Sequence, residues 1–331
     1  MRGRAFIAAI GLAGTVLAAP GVAAADPAPC TWVVSKVAVP DGYEPTFTRV
    51  KGTDSHGGYA GTSLRMSANT DDLIIWTGGV PRVVHELRHL LWLSMAGQNS
   101  SGTVLVSGRI VAEERWAVAS YSPSGVVTEY AAPEGYRLSA ATAINERGDV
   151  LASGERISDG QEVGIVWSTI AVAPQIVDTS AGTPQDLDDD GTVLLRGREG
   201  KPGALWRSGK VTLLADEGKP AYVQAIRGGK AIGYQVDGTW PESQALLWDR
   251  DGAVRHIEDG GTAFAINANG LITGERSTMV GRVSVWRDTA FLGELPHIAD
   301  IPYVSELVVV GDDNNLFGDA GYYGPLRWTC A

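Results

Sequence analysis

Thr142-Ala-Ile-Asn145-Glu-Arg-Gly148-Asp-Val-Leu-Ala-Ser-Gly154, a variable loop, and then Gly164-Ile-Val-Trp167 is the stretch that decides the fold. It returns as Ala263-Phe-Ala-Ile-Asn267-Ala-Asn-Gly270-Leu-Ile-Thr-Gly274, followed by Val283-Ser-Val-Trp286. Looser copies run from Leu187 through Gly191 and Gly197 to Trp206, and from Asn99 through Gly102 and Gly108 to Tyr121. The copies ending at Trp248 and Trp328 are looser still, and the one around Gly61 and Trp76 is the most degenerate. Subtracting neighbours among Trp76, Tyr121, Trp167, Trp206, Trp248, Trp286 and Trp328 gives gaps of 45, 46, 39, 42, 38 and 42 residues.

Each copy reads as a four-stranded meander. A short apolar strand ends in Asn-x-x-Gly, a tight turn that needs a residue tolerant of positive φ. A second strand ends at Gly, a third near the aromatic residue, and a fourth such as Val211-Thr-Leu-Leu closes the unit. One such sheet cannot bury both faces alone, whereas a ring of them can. Long 3.6-residue periodicities are scarce, and 42 Gly and 16 Pro punctuate the chain. The expected fold is all-β: one propeller domain over 26–331, with seven four-stranded blades.

The pattern Ala-Ile-Asn-x-x-Gly, then Gly, then an aliphatic residue and Trp resembles the extracellular HAF-type repeat family of bacterial proteins. The likeness is best in the second to sixth copies. It implies secretion and a propeller-like fold, and it carries no shared catalytic residue.

The N-terminus supports export independently. Met1-Arg-Gly-Arg4 is basic, Ala5 to Ala19 is apolar and rich in small residues, and Ala23-Ala-Ala25 offers a cleavage site before Asp26. Residues 1–25 therefore read as a secretory signal peptide, and the expected location is extracellular. No later apolar run approaches the ~20 residues of a membrane-spanning helix. Without Arg2 and Arg4 the chain keeps 25 Lys and Arg against 38 Asp and Glu, a formal charge of −13. That acidity argues against nucleic acid and anionic membrane as partners. A monomer meeting an extracellular glycan or peptide is expected, with no cofactor.

Cys30 and Cys330, the two cysteines, stand near the two ends of the chain. In an exported protein the default is a disulfide. A propeller also supplies the geometry. The last blade has three strands ending at Trp328, and residues 31–39 form an apolar stretch ahead of the first blade. Pairing that stretch with the final strand closes the ring and brings the cysteines together.

Three groups of residues are candidates for chemistry. His85-Glu86-Leu87-Arg88-His89 matches H-E-x-x-H, in which two histidines on one helical face hold zinc and the glutamate activates water. Glu113 or Glu114 would be a distant third ligand. The repeat places Pro81 to Leu87 on a fourth strand, where residues four apart lie ~13 Å apart, so the expected reading is structural. Asp186-Leu-Asp188-Asp-Asp190-Gly191 resembles the start of a calcium loop, but Leu194 and Gly197 occupy the later ligand positions. The third group is a rim of charge after the second-strand glycines: Arg109, Glu155, Arg156, Arg198, Glu199, Glu275, Arg276 and Asp319, with Trp240 in the longest loop. In a propeller these loops gather at one mouth of the channel, where Arg109, Glu155, Arg156, Trp240, Glu275 and Arg276 would contact a sugar or peptide. A binding module without enzymatic activity is the leading reading. A carbohydrate-active hydrolase or lyase using carboxylates at the channel mouth is the second, and a zinc protease the third.

Overall fold

The computed structural model describes residues 30–236, 243–277, 279–298 and 306–330. Seven antiparallel sheets of four strands form seven blades. Blades 1 to 6 span 48–84, 91–129, 136–177, 183–213, 221–256 and 260–294. Blade 7 combines strands within 306–330 with Trp32–Lys36, whose Trp32 pairs with Cys330 and whose Val34 pairs with Trp328. The first strands of neighbouring blades touch from blade 1 round to blade 7 and back to blade 1, so the ring is closed. Residues 31–331 form one unit. Both cysteines are disulfide-bonded and neither is free, which makes the single bond Cys30–Cys330.

The burial pattern follows from the stacking of blades. Middle strands are covered on both faces, so they are continuously apolar rather than alternating. Val104, Leu105 and Val106 are all buried. Fourth strands lie at the outer edge and alternate, as in Ala290–Glu294. The core is accordingly divided among seven seams between blades.

The repeat aromatics fill those seams. Trp248 packs with Leu194, Leu205 and Leu214 of the preceding blade, and Trp286 packs with Ile232, Leu247 and Ile257. A buried indole needs a partner for its N–H. Trp76, Trp248, Trp286 and Trp328 each donate to a carbonyl just beyond the fourth strand of the blade before: Ala38 (2.7 Å), Ala215 (3.1 Å), Glu258 (2.7 Å) and Pro296 (2.7 Å). The tryptophan spacing is thus set by two requirements, seam volume and a fixed acceptor.

Every first strand carries a register shift near its end, at Val50/Gly52, Met95/Gly97, Ala141/Ala143, Pro184/Asp186, Val223/Ala225, Ala263/Ala265 and Leu307/Val309. Such bulges bend and twist a strand. They also explain the second-strand glycine. A Cβ on Gly61, Gly233 or Gly274 would collide with the carbonyl oxygen of Arg49, Tyr222 or Thr262 on the bulged neighbour.

Candidate functional site

The ring has two faces. The turn face carries the hairpins between first and second strands. The loop face carries the connections between second and third strands and between one blade and the next.

On the turn face the repeat asparagine does two jobs. The Asn145 side-chain oxygen accepts from the backbone N–H groups of Arg147 (3.1 Å) and Asp149 (2.9 Å), holding its own turn. Its amide donates to the Asp188 carbonyl of the next blade (3.0 Å). Asn99 and Asn267 likewise reach the carbonyls of Asn145 (3.3 Å) and Gly311 (2.9 Å). The following residues extend the linkage. The Ser100 N–H donates to Glu146, the Glu146 N–H to Asp189, and the Ala268 N–H to Asp312.

Three of these acids meet one arginine. Arg227 of blade 5 ion-pairs with Glu146 of blade 3 (2.5 Å), Asp189 of blade 4 (3.0 Å) and Asp312 of blade 7 (2.9 Å). Burial alone would lower the guanidinium pKa, but Asp189, Asp312 and Glu146 outweigh it and hold the group charged. Beneath this knot lies a channel of about 190 Å³ lined by the first strands of all seven blades, with small side chains such as Ala96, Ala143, Ala225 and Ala265. Asp186 faces it, and burial pushes its carboxyl up to about 6 against bonds from the Ile226 and Leu187 N–H groups.

The residues of the candidate calcium loop are engaged in the same network. The Asp188 carboxylate accepts the N–H groups of Gly228 (2.8 Å) and Gly229 (2.7 Å), and Asp190 pairs with Arg207 (3.0 Å) and Arg250 (3.2 Å). Asp186, Asp188 and Asp190 therefore serve three different sets of donors instead of converging on one point.

His85 to His89 lies neither on a strand nor on a helix. The fourth strand of blade 1 ends at Val84, and the segment folds into successive turns closed by Arg88 N–H to His85 O (3.2 Å) and Leu90 N–H to Leu87 O (3.0 Å). The strand expected to continue to Leu87 stops earlier because Leu87 and Leu90 turn inward to fill the seam between blades 1 and 2. His85, Glu86 and His89 are exposed. Arg88 is the working residue of the segment. It ion-pairs with the buried Asp72 (2.9 Å), which also accepts from Tyr43 and lies 3.4 Å from Arg65. Burial raises the Asp72 pKa, but Arg88, Tyr43 and Arg65 outweigh it and hold the carboxyl below its ordinary range. Among the described residues no three His, Cys, Asp or Glu side chains cluster as metal ligands do.

A cleft of about 690 Å³ opens between blades 2 and 3 on the loop face. Its walls include Trp116, Tyr130, Tyr136, Glu114 and two ion pairs, Arg115–Glu129 (2.5 Å) and Arg137–Glu155. Trp116, 38 % exposed, stands 6.3 Å from Trp92, which is 53 % exposed and has φ +53°. The Arg109 guanidinium lies 5.6 Å from the Trp92 ring centre. The volume is within the range of small-molecule sites, ~300–1,000 Å³.

The rim residues expected from the sequence are only partly assembled. Glu155 lines the cleft, and Arg109 lies across the sheet from Trp116, which also lines it. Arg156 turns to Asp159 and Gln161 (both 2.9 Å). Glu275 and Arg276 stand on blade 6, where Arg276 meets Asp259 (3.2 Å) and packs on Phe291, away from the cleft. Arg198 pairs with Glu162 (3.1 Å) and Asp319 with Arg49 (2.5 Å). Trp240 lies outside the described residues. Sequence reasoning missed Trp92, Trp116, Tyr130, Tyr136 and Arg227. One signal for the first two was present: Trp92 and Trp116 are tryptophans that fall off the repeat spacing.

No family model matches the chain, and no curated protein matches it. Solved structures do. BBS1N, in a complex with ARL6DN, aligns with TM-score 0.52 at 14% identity over 91% of this chain and 97% of that one. A prolyl endopeptidase aligns with TM-score 0.53 at 14% identity over 82% of this chain and 45% of that one. TolB from Acinetobacter baumannii aligns with TM-score 0.46 at 14% identity over 77% of this chain and 64% of that one. At such identity the likeness is one of fold.

Proposed function

We propose that this protein is an exported, non-enzymatic binding module whose ligand docks in the cleft between blades 2 and 3. The observation that carries the reading is the solvent-exposed pair Trp92 and Trp116 beside that cleft. The repeat-spaced aromatics serve the seams, so two large off-register aromatics kept in water at one opening call for a different purpose. Two of the three acids of the cleft, Glu129 and Glu155, are each held by an arginine, which favours binding over catalysis. The signal-peptide-like start and the disulfide support an oxidising, extracytoplasmic setting. The resemblance to the HAF-type repeat family fits the same setting. The acidic surface disfavours nucleic acid.

The test is an array of immobilised glycans and peptides probed with the full chain and with Trp116→Ala and Arg137→Ala. Ligands retained by the parent protein and lost by both variants, at unchanged melting temperature, are the expected result. Binding that survives both substitutions places the ligand elsewhere and overturns the reading.

A further inference from the structure

We infer that the cleft between blades 2 and 3 takes a neutral oligosaccharide, stacked on Trp92 and Trp116. This rests on the binding reading above and names its ligand class.

Trp92 is presented to solvent by construction. It sits where the first strand of blade 2 loses register with the second, between Leu91 and Ser94, and it adopts a left-handed backbone that a bulky residue rarely takes. The Thr70 hydroxyl of blade 1 accepts its backbone N–H (3.2 Å), which fixes the departure from the strand. Leu93 meanwhile is buried in the seam. Arg109 packs over the indole and stiffens it. Trp92 and Trp116 together, tilted by 36°, form an aromatic wall leading into the cleft. Such a wall offers apolar area at low entropic cost to the C–H face of a pyranose ring.

The polar groups narrow the choice. Arg115 is shared between Glu113 and Glu129, and Arg137 holds Glu155. With Glu114 also in its wall the cleft is mildly acidic, and paired donors and acceptors lie side by side. Vicinal hydroxyls, each both donor and acceptor, match that arrangement, whereas a polyanion meets a chain of net charge −11. A peptide would use either a free strand edge or deep apolar pockets. The outer strand of blade 2, Val127–Glu129, is three residues long and two of the three are polar or charged, a poor template for strand addition.

The experiment is isothermal titration of the full chain with cellohexaose, maltohexaose, xylohexaose, chitohexaose, a galacturonic acid hexamer, a glucosamine hexamer and a random peptide library, with tryptophan fluorescence followed in parallel. At least one neutral hexasaccharide binds and shifts the fluorescence. Trp116→Ala and Trp92→Ala each weaken it about tenfold or more. Tyr322→Ala, an exposed aromatic on blade 7, leaves it unchanged. Binding confined to the charged oligomers or to peptides, yet still lost with Trp116→Ala, overturns the sugar assignment and keeps the cleft. Sugar binding indifferent to both tryptophans overturns the platform, and no binding by any neutral sugar overturns the inference outright.

Discussion

Replacing Arg227 by Met removes the charge that unites Glu146, Asp189 and Asp312 while keeping most of the aliphatic stem. The arginine side chain is 15 % exposed, and the three acids are 25 %, 35 % and 31 % exposed. Removing one partner from a buried ion pair costs about 3–5 kcal/mol. The acids here still meet solvent, which screens part of that cost, so a loss of about 2–3 kcal/mol at pH 7.5 is expected. With ~2.1 cal/mol/K of unfolding entropy per residue over a chain of this length, that is a fall in Tm of about 3–4 °C. The sign of the pH dependence is the sharper test. Without Arg227 the clustered carboxylates repel each other, and the Asp189 pKa, which burial already raises and Arg227 lowers, rises further from its unfolded-state pKa. The resulting penalty is present above those pKa values and is relieved as protonation proceeds on acidification. The gap between variant and parent, measured by calorimetry and urea titration, therefore narrows between pH 7.5 and pH 4.5. Arg227→Lys falls between the two, because an ammonium cannot present a fork to three carboxylates. A variant melting within 1 °C of the parent at pH 7.5, or a deficit that is the same at both pH values, would refute this account.

Titration of thiols in denaturant without reductant finds none, and Cys30→Ser lowers Tm by several degrees, since closing a loop of nearly the whole chain is worth up to about 5 kcal/mol. The Asp186 carboxyl, raised to about 6, weakens the fold by up to about 3 kcal/mol above that pH and is relieved below it. The urea midpoint should then rise from pH 7.5 to pH 5, and Asp186→Asn should flatten the rise; a midpoint falling steadily over that interval contradicts the assignment. Below about pH 4 the trend reverses, because Asp72 and Asp149 have lowered pKa values and lose their stabilising bonds on protonation. His85→Ala and His89→Ala leave Tm within about 1 °C, whereas Arg88→Ala lowers it measurably by stranding the buried Asp72; the reverse order would restore a role for the histidines.

The sheet pattern was readable because its causes are local and repeated. A turn that needs Asn and Gly, a strand that needs apolar residues and a seam that needs an indole all leave marks at fixed spacing. The closure by Trp32–Lys36 was readable for a related reason: six complete blades and one incomplete one leave a single unpaired stretch. The reading of His85 to His89 was right about the missing helix and wrong about the strand. Leu87 and Leu90 are pulled into the seam, and that pull is invisible in a five-residue pattern.

The sequence by itself determined the blade count, the closing strand, the disulfide and the aromatic filling of each seam, since all are repeat-wise consequences of short-range chemistry. Only the tertiary structure decided which side chains share a site. Arg227, Glu146, Asp189 and Asp312 come from four blades and meet because the ring curves them to one mouth. Glu155 and Glu275 hold equivalent places in their repeats and are separated by the same curvature. Trp92 faces water because a register break and a neighbouring blade's hydroxyl hold it there. A repeat tells where each blade begins, and the closed ring tells which positions on different blades can touch.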